Sequence, residues 1–309
     1  MVSLSTVLTQ NPFDINASEA YAMWRERKLT NYPEKIEDLI VEVRDPRALT
    51  PSEHDAILQR CQKANMAIYA SHCGSDPDKD IPRLIGNQFG MFQLDSNLLA
   101  EEDGITKLAV SEASERQLYI PYTNRPIKWH TDGYYNPESR QIRGMLLHCV
   151  SSAIEGGENA LMDHEMVYLL MRDANPDLVR ALMQPGTMTI PARMEEDNIA
   201  RAAETGPVFS IHPVTGDLHM RYTARTRSIE WRNDTVTLAA VSFIEQLLSS
   251  DSTYIFRGML EPGMGLICNN VLHDRSSFSD SPVHPRVLYR ARYYDRISNT
   301  SLSATFPDT

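Results

Sequence analysis

The chain has 309 residues, 42% of them hydrophobic and 23% charged, with a formal net charge of -11; this is enough for one large domain or two small ones with a sizeable core. The acidic balance argues against general binding to nucleic acid, which needs a basic surface to neutralise phosphates, and against attachment to anionic membranes. Cys61, Cys73, Cys149 and Cys268 are spaced for neither a zinc finger nor a compact disulfide framework, and no signal peptide or run of about 18 apolar residues is evident, so a cytoplasmic protein with reduced thiols is expected.

In chain order, IEDLIVEV (Ile36 to Val43) reads as a strand. In the following TPSEHDAILQRCQKAN, Thr50 is a good N-cap, Pro51 suits the first helical position and Glu53 completes a capping box, which predicts a helix to about Ala64. MAIYA then reads as a short apolar strand, and DIPRLIGNQFG as a second helix ended by Gly90. From about Ile105 the signal turns to strands: ITKLAV, RQLYIPY, GMLLHCVSS, NALMD, TMTIPA, GPVFSIHP, DLHMRY, STYIFRGML, GMGLICNNVL and RVLYRARYY are short, apolar-rich and bounded by turn residues. Two helical regions interrupt them, one from Asp163 to Met183 split at Asn175-Pro176, the other the periodic DTVTLAAVSFIEQLLSS. This pattern predicts a mainly β fold, a sandwich or jelly roll with helices packed outside. No repeat, low-complexity tract or linker divides the chain, so residues 1–309 are expected to form a single domain.

The stretch KWHTDGYYNP sets His130 and Asp132 two residues apart at a strand end, where alternation sends both to one face. Alone, such a pair is more often structural than functional. His273 in CNNVLHDRSSF is the best third ligand among the nine histidines, since it follows an apolar strand and precedes an Arg-rich one. Two histidines and one carboxylate on one side of an octahedral metal leave three positions open, an arrangement suited to non-heme Fe(II). Arg286 and Arg290, four residues apart, share a strand face with Leu288 between them. A guanidinium inside a sandwich is costly unless it meets an anion, and its fork matches a carboxylate.

WHTDG, GGENALMD and NNVLHDRSSF followed by PRVLYRARY, in this order, resemble the taurine dioxygenase/TfdA-like family of Fe(II)- and 2-oxoglutarate-dependent oxygenases. The resemblance runs from about Ile36 to Tyr294 and leaves residues 1–35 as an N-terminal extension outside it. It implies a double-stranded β-helix, a jelly roll of the clavaminate synthase-like kind. It also implies that His130, Asp132 and His273 are iron ligands, that Arg286, thirteen residues after the second histidine, pairs with the distal carboxylate of 2-oxoglutarate, and that Arg290 lies by the active centre, facing a substrate acid group in some members. Asn159 stands where members often have a Thr or Ser that also bonds the cosubstrate, a departure from the pattern. The implied reaction takes O2 and 2-oxoglutarate to succinate and CO2 while a small, acidic or zwitterionic molecule is oxidised, most simply by hydroxylation. Desaturation, cyclisation or bond cleavage on the same centre, and a noncatalytic metal-binding sensor, are the competing readings. Members of the family commonly form dimers or tetramers, so a homo-oligomer is compatible with the resemblance.

Tyr134 and Tyr135 are candidates to line a substrate pocket, or simply to cover the core edge. For Arg290 the competing role is pairing with a protein carboxylate. Arg221, Arg225 and Arg227 form a cluster that either is a solvated face or recruits an anion. His148 reads as a structural core residue, Asp163 as a helix cap, His212, His219 and His284 as surface residues, and Gly156-Gly157 as a tight turn.

Overall fold

Strands with apolar residues at successive as well as alternate positions, such as Met66-Ala67-Ile68-Tyr69, must be buried on both faces. The computed structural model describes residues 11–95, 104–111, 119–195, 198–225 and 229–305 and shows how this is achieved. Its two main sheets use β1 (Ile40–Val43), β2 (Met66–Ser71), β3 (Ile105–Leu108), β4 (Ile127–His130), β5 (Gly144–Ser151), β6 (Asn159–Met162), β7 (Phe256–Gly258), β8 (Met264–Cys268), β9 (Leu272–Arg275) and β10 (Val287–Tyr293). The larger sheet has the order β1-β2-β8-β5-β10-β3, and the smaller β7-β6-β9-β4. All pairings are antiparallel except β1 with β2.

The larger sheet sorts its side chains by parity. Ile68, Leu147, Leu266 and Leu288 face inward and join Leu161, Leu272 and Phe256 of the smaller sheet in one core. Ala67, Tyr69, Leu146, Ile267, Tyr289 and Tyr293 face outward. They are covered by Ile57 and Cys61 of α2 (Pro51–Ala64) and Ile85 of α3 (Ile81–Gln88), which follow α1 (Ser18–Leu29) in the chain. The capping box of α2 forms as read: Glu53 N–H donates to Thr50 Oγ1 at 3.3 Å and Thr50 N–H to Glu53 Oε2 at 2.7 Å. On the other side, α4 (His164–Ala174), α5 (Pro176–Leu182) and α6 (Thr235–Leu248) belong to the core shared with the smaller sheet. Asp163, Asn175 and Asp234 cap their N-termini through side-chain oxygens.

Cross-strand register builds two facing rows. Ile68, Leu266, Leu147 and Arg290 are successive partners across the larger sheet. Phe256, Leu161, His273 and His130 are successive partners across the smaller one. Cross-strand partners point to the same side of a sheet, so each row is apolar at one end and polar at the other. A cavity of about 270 Å³ reaches Ile68, Leu147, Leu161 and Leu266 at the apolar end, with Asn159 on its wall.

Two readings differ from the structure. Ile36–Leu39 is a 3-10 turn, so the first strand is only Ile40–Val43. RQLYIPY shows a 3-10 turn at Ile120–Tyr122, where Pro121 removes a ladder donor; residues 116–118 lie outside the described residues. The N-terminal segment is more than an appendage: Phe13, Tyr21, Trp24 and Tyr32 are buried in the shared core. Lys28 of α1 is buried between Asp163 and Glu165, 2.6 Å from a carboxylate oxygen of each. Among the described residues no helix is long and apolar enough to cross a membrane. The four cysteines are unpaired.

Candidate metal centre

His130 ends β4 and His273 lies in β9, and their direct pairing brings the ring centroids to 4.3 Å. Each ring is oriented by its own strand: His130 Nδ1 donates to Lys128 O at 2.9 Å and His273 Nδ1 to Val271 O at 3.0 Å. With Nδ1–H committed to a carbonyl, Nε2 carries the lone pair, the tautomer that a metal ligand needs. Asp132, two residues beyond His130, brings its carboxylate 3.8 Å from His130 Nε2. One donor atom from each of His130, Asp132 and His273 lies within 4.8 Å of the others.

The electrostatics keep this donor set ready for a cation. Burial, and then the neighbouring His273, push His130 down to about 3, so its ring is neutral at pH 7. Burial alone would raise Asp132, but Arg290, Arg292 and the two histidines outweigh it and hold the carboxyl below the usual carboxylate range. Arg290 Nη1 meets Asp132 Oδ1 at 3.2 Å, whereas Asp132 Oδ2 is buried with no hydrogen-bond partner. The oxygen 3.8 Å from His130 Nε2 is Oδ1; a buried carboxylate with one orphaned oxygen, next to two histidines, is expensive as a purely structural feature and natural as a metal ligand.

The backbone around Asp132 is fixed from two sides. Gly133 has φ +68°, and a Cβ there would lie 2.4 Å from Ile142 Cγ1, so the turn that aims Asp132 needs glycine. Asn270, buried and at φ +51°, accepts from Asp132 N–H at 2.8 Å and donates to Asp132 O at 2.9 Å and Ile142 O at 2.7 Å. This residue was missed by the sequence reading. Asn tolerates the left-handed region and carries both a donor and an acceptor, so the Asn-Asn pair ahead of His273 was the available signal.

The interior face of β10 carries Leu288, Arg290 and Arg292, and Arg286 immediately precedes the strand. Arg286 is 6% exposed, and no carboxylate forms an ion pair with its guanidinium among the described residues. It lies over the Phe278 ring at 5.0 Å, and Arg275 lies over the same ring at 4.7 Å. Arg275, also missed, donates to Thr123 O at 2.9 Å and to Arg125 O, and its Nε is buried without a partner. Burial and Arg286 push Arg275 down to about 9, and burial lowers Arg286 as well. Two adjoining buried cations of this kind call for an anion. Gly157, at φ +79°, makes room: a Cβ there would lie 3.2 Å from Arg286 Nε. Asn159 donates from Nδ2 to Asp274 O at 2.9 Å, and its buried Oδ1 has no partner.

Tyr134 and Tyr135 follow the ligand turn. Their rings are 5.2 Å apart, and Tyr134 stands edge-on to His130 at 6.4 Å. The Tyr135 hydroxyl accepts from Arg292 at 2.9 Å, and Arg292 also pairs with buried Asp95 at 2.5 Å. Of the predicted arginine cluster, Arg221 is a buried clamp that donates to the carbonyls of Tyr134, Met188 and Glu204. Arg225 is half-buried beside the site, and Arg227 lies outside the described residues. His148 faces away from the metal cluster and bonds Tyr69 OH at 2.9 Å. His284 is exposed, while His212 and His219 are half-buried rather than on the surface.

Comparison with known proteins agrees with this architecture. The model of the taurine catabolism dioxygenase TauD, TfdA family matches residues 81–292. The chain belongs to this family. A uridine-5'-phosphate dioxygenase from a Streptomyces species is 28% identical over 207 residues, covering 63% of this chain and 71% of that protein. Similar solved structures include AAD-2 in complex with Mn(II) and N-oxalylglycine, with TM-score 0.57 at 13% identity over 84% of this chain and 95% of that one. An asparagine oxygenase in complex with Fe(II), 2S,3S-3-hydroxyasparagine and succinate has TM-score 0.57 at 14% identity, over 93% and 88%. A taurine dioxygenase from Burkholderia xenovorans has TM-score 0.53 at 15% identity, over 85% and 89%. At such identities these structures establish the shared jelly roll. With the family match, they identify this TauD-family chain as a 2-oxoglutarate-dependent dioxygenase that uses iron.

Proposed function

We propose that His130, Asp132 and His273 hold one Fe(II), that Arg286 with Arg275 receives the distal carboxylate of 2-oxoglutarate, and that the enzyme hydroxylates a small acidic molecule. The observation that carries the reading is the convergence of the three donor atoms within 4.8 Å, with both histidine Nδ1 atoms tied back to strand carbonyls. When bound, iron with 2-oxoglutarate and O2 supplies the oxidising equivalent and releases succinate and CO2. The chain's own residues orient the reactants. Asn270 and Gly133 set the Asp132 turn, and Arg290, paired with Asp132 Oδ1, holds the carboxylate charged and in place while Oδ2 keeps no hydrogen-bond partner. Arg275 and Arg286 supply the charge that fixes the far end of the cosubstrate. Asn159 retains an uncommitted amide N–H to assist there. Tyr134 and Tyr135 line the approach to the metal and keep water from it.

An acidic small-molecule substrate is supported by the names of the relatives, which include dioxygenases of uridine-5'-phosphate and taurine. Because Asp132 fills the carboxylate position, hydroxylation is favoured over halogenation. Anaerobic titration with Fe(II) and 2-oxoglutarate tests the assignment. The wild type should develop a weak visible charge-transfer band, and Asp132→Ala should lose it while keeping its circular dichroism. Full-stoichiometry iron binding and normal turnover by Asp132→Ala would defeat the ligand assignment.

A further inference from the structure

Most of the donor groups of the inner arginines already have partners or a cosubstrate to hold, the buried Arg290 Nε excepted. Arg290 is on Asp132, Arg292 on Asp95, Arg221 on three carbonyls, and Arg275 with Arg286 forms the pair assigned to 2-oxoglutarate. Further positive charge for a substrate anion is offered by a group of arginines around the two tyrosines. A two-stranded hairpin, Arg193–Glu195 with Asn198–Arg201, sets Arg201 directly opposite Arg193. Arg201 lies over the Tyr135 ring at 5.7 Å and Arg193 over the Tyr119 ring at 4.4 Å. Arg225 approaches from a third segment: Thr223 bridges to His130 and Ala224 N–H donates to Trp129 O at 2.8 Å.

Neither Arg201 nor Arg225 forms an ion pair with a described carboxylate, although Glu204 lies close enough to Arg201 to favour its charge. Arg201 is half-buried and gives its hydrogen bonds to Pro191 O at 2.8 Å and Ala202 O at 3.4 Å. The half-buried Arg225 guanidinium makes no hydrogen bond or ion pair among the described residues. Like charges directly opposite in a ladder repel one another, and partial burial sharpens the cost. Burial lowers Arg201, and although burial raises Tyr134, the Arg225 charge pulls it back down. An anion here would sit beside Tyr135, whose ring is 5.2 Å from that of Tyr134, itself 6.4 Å from His130.

We propose that the substrate is a phosphomonoester whose phosphate is bound by Arg201 and Arg225, at the far end of the molecule from the carbon that is oxidised. This deepens the oxygenase reading and rests on it. A phosphomonoester carries a charge of about -1.5 to -2 at pH 7 and offers three acceptor oxygens, a match for two guanidinia that make no ion pair with a described carboxylate. A carboxylate or sulfonate carries a single charge and leaves one guanidinium uncompensated.

The test uses the full-length enzyme loaded anaerobically with Fe(II) and saturating 2-oxoglutarate, so that the inner arginine pair is filled. Binding of inorganic phosphate, ribose 5-phosphate, ribose and taurine is measured by calorimetry, with the charge-transfer band followed in the same samples. Phosphate and ribose 5-phosphate are expected to bind, ribose and taurine at least tenfold more weakly. Affinity should rise with pH through the second phosphate ionisation near about 6. Arg201→Gln and Arg225→Gln should each weaken phosphate binding tenfold or more with the band unchanged, and Arg201→Lys should restore part of the loss. Absence of phosphate binding, equal affinity for taurine, or unchanged binding in both Gln variants overturns the proposal. Loss of the band in wild type would instead overturn the oxygenase reading itself, so the two failures are separable.

Discussion

Replacing Asn270 probes how the metal cluster is held together without touching a ligand. The Asn270 amide makes three buried hydrogen bonds, two to the Asp132 backbone and one to Ile142 O. At about 1 kcal/mol net each, their loss in Asn270→Ala costs roughly 3 kcal/mol. The backbone sits at φ +51°, which alanine tolerates less well by about 1 kcal/mol. The expected destabilisation is therefore on the order of 4 kcal/mol. Asn270→Gly removes the same bonds but accepts the conformation, so it should recover about 1 kcal/mol of that loss. Urea unfolding of the two variants and wild type, followed by circular dichroism with chelator present, measures both terms. Titration of metal into the folded proteins should show affinity reduced about 10- to 100-fold, as for other residues that orient ligands. An Asn270→Ala protein within about 1 kcal/mol of wild type would refute the hydrogen-bond argument. Equal stability of the Ala and Gly variants would refute the backbone part.

Removing Arg286 as Arg286→Ala leaves Arg275 alone with the cosubstrate carboxylate, and the loss of about 2–5 kcal/mol in such a pair should raise the Kd for 2-oxoglutarate more than tenfold in the charge-transfer titration. Gly157→Ala imposes a side chain at φ +79° and 3.2 Å from Arg286 Nε, so it should lower thermal stability and raise the KM for 2-oxoglutarate together; stability loss alone would argue against the room-making role. Burial would raise Glu165, but Lys28 and its other neighbours outweigh it and bring it from an ordinary 4.5 to about 2. A depressed carboxylate contributes stability that is present above its unfolded pKa and lost as pH falls through its folded one. Stability should therefore drop between about pH 4.5 and 2, and Glu165→Gln should be less stable at pH 7 and show a shallower acid loss in chelator-treated protein.

Much of the fold was legible because its signals are local. Thr50, Pro51 and Glu53 announce a helix start within four residues, Asp163 does the same for α4, Asn175-Pro176 marks the break between α4 and α5, and strand parity reads directly from runs such as RVLYRARYY. The three donor residues were legible for a related reason: two sit on one strand end, and the third lies in a comparable strand context. Arg275 and Asn270 escaped because their roles come from contacts with Phe278, Thr123 and Asp132, distant in sequence and without periodicity. Arg290 was legible as an inward arginine but not in its contact, since only the folded register brings it to Asp132 Oδ1. Ile36–Leu39 was misread because the apolar spacing of a short 3-10 turn leading into a strand matches that of the strand itself.

The pairing of His130 with His273 has a consequence for how the protein is made. The two rings meet only when β4 and β9 are aligned in one register, and a slip by a single residue would turn one imidazole to the opposite side of the sheet. The strands lie far apart along the chain, so their pairing carries a high loop-closure cost and forms only after most of the intervening chain has been organised. A divalent ion that needs both rings cannot bind with full affinity to a partly assembled or misregistered chain. Metal capture thus becomes a late checkpoint of assembly: it favours molecules whose sandwich has closed correctly and holds them there by mass action.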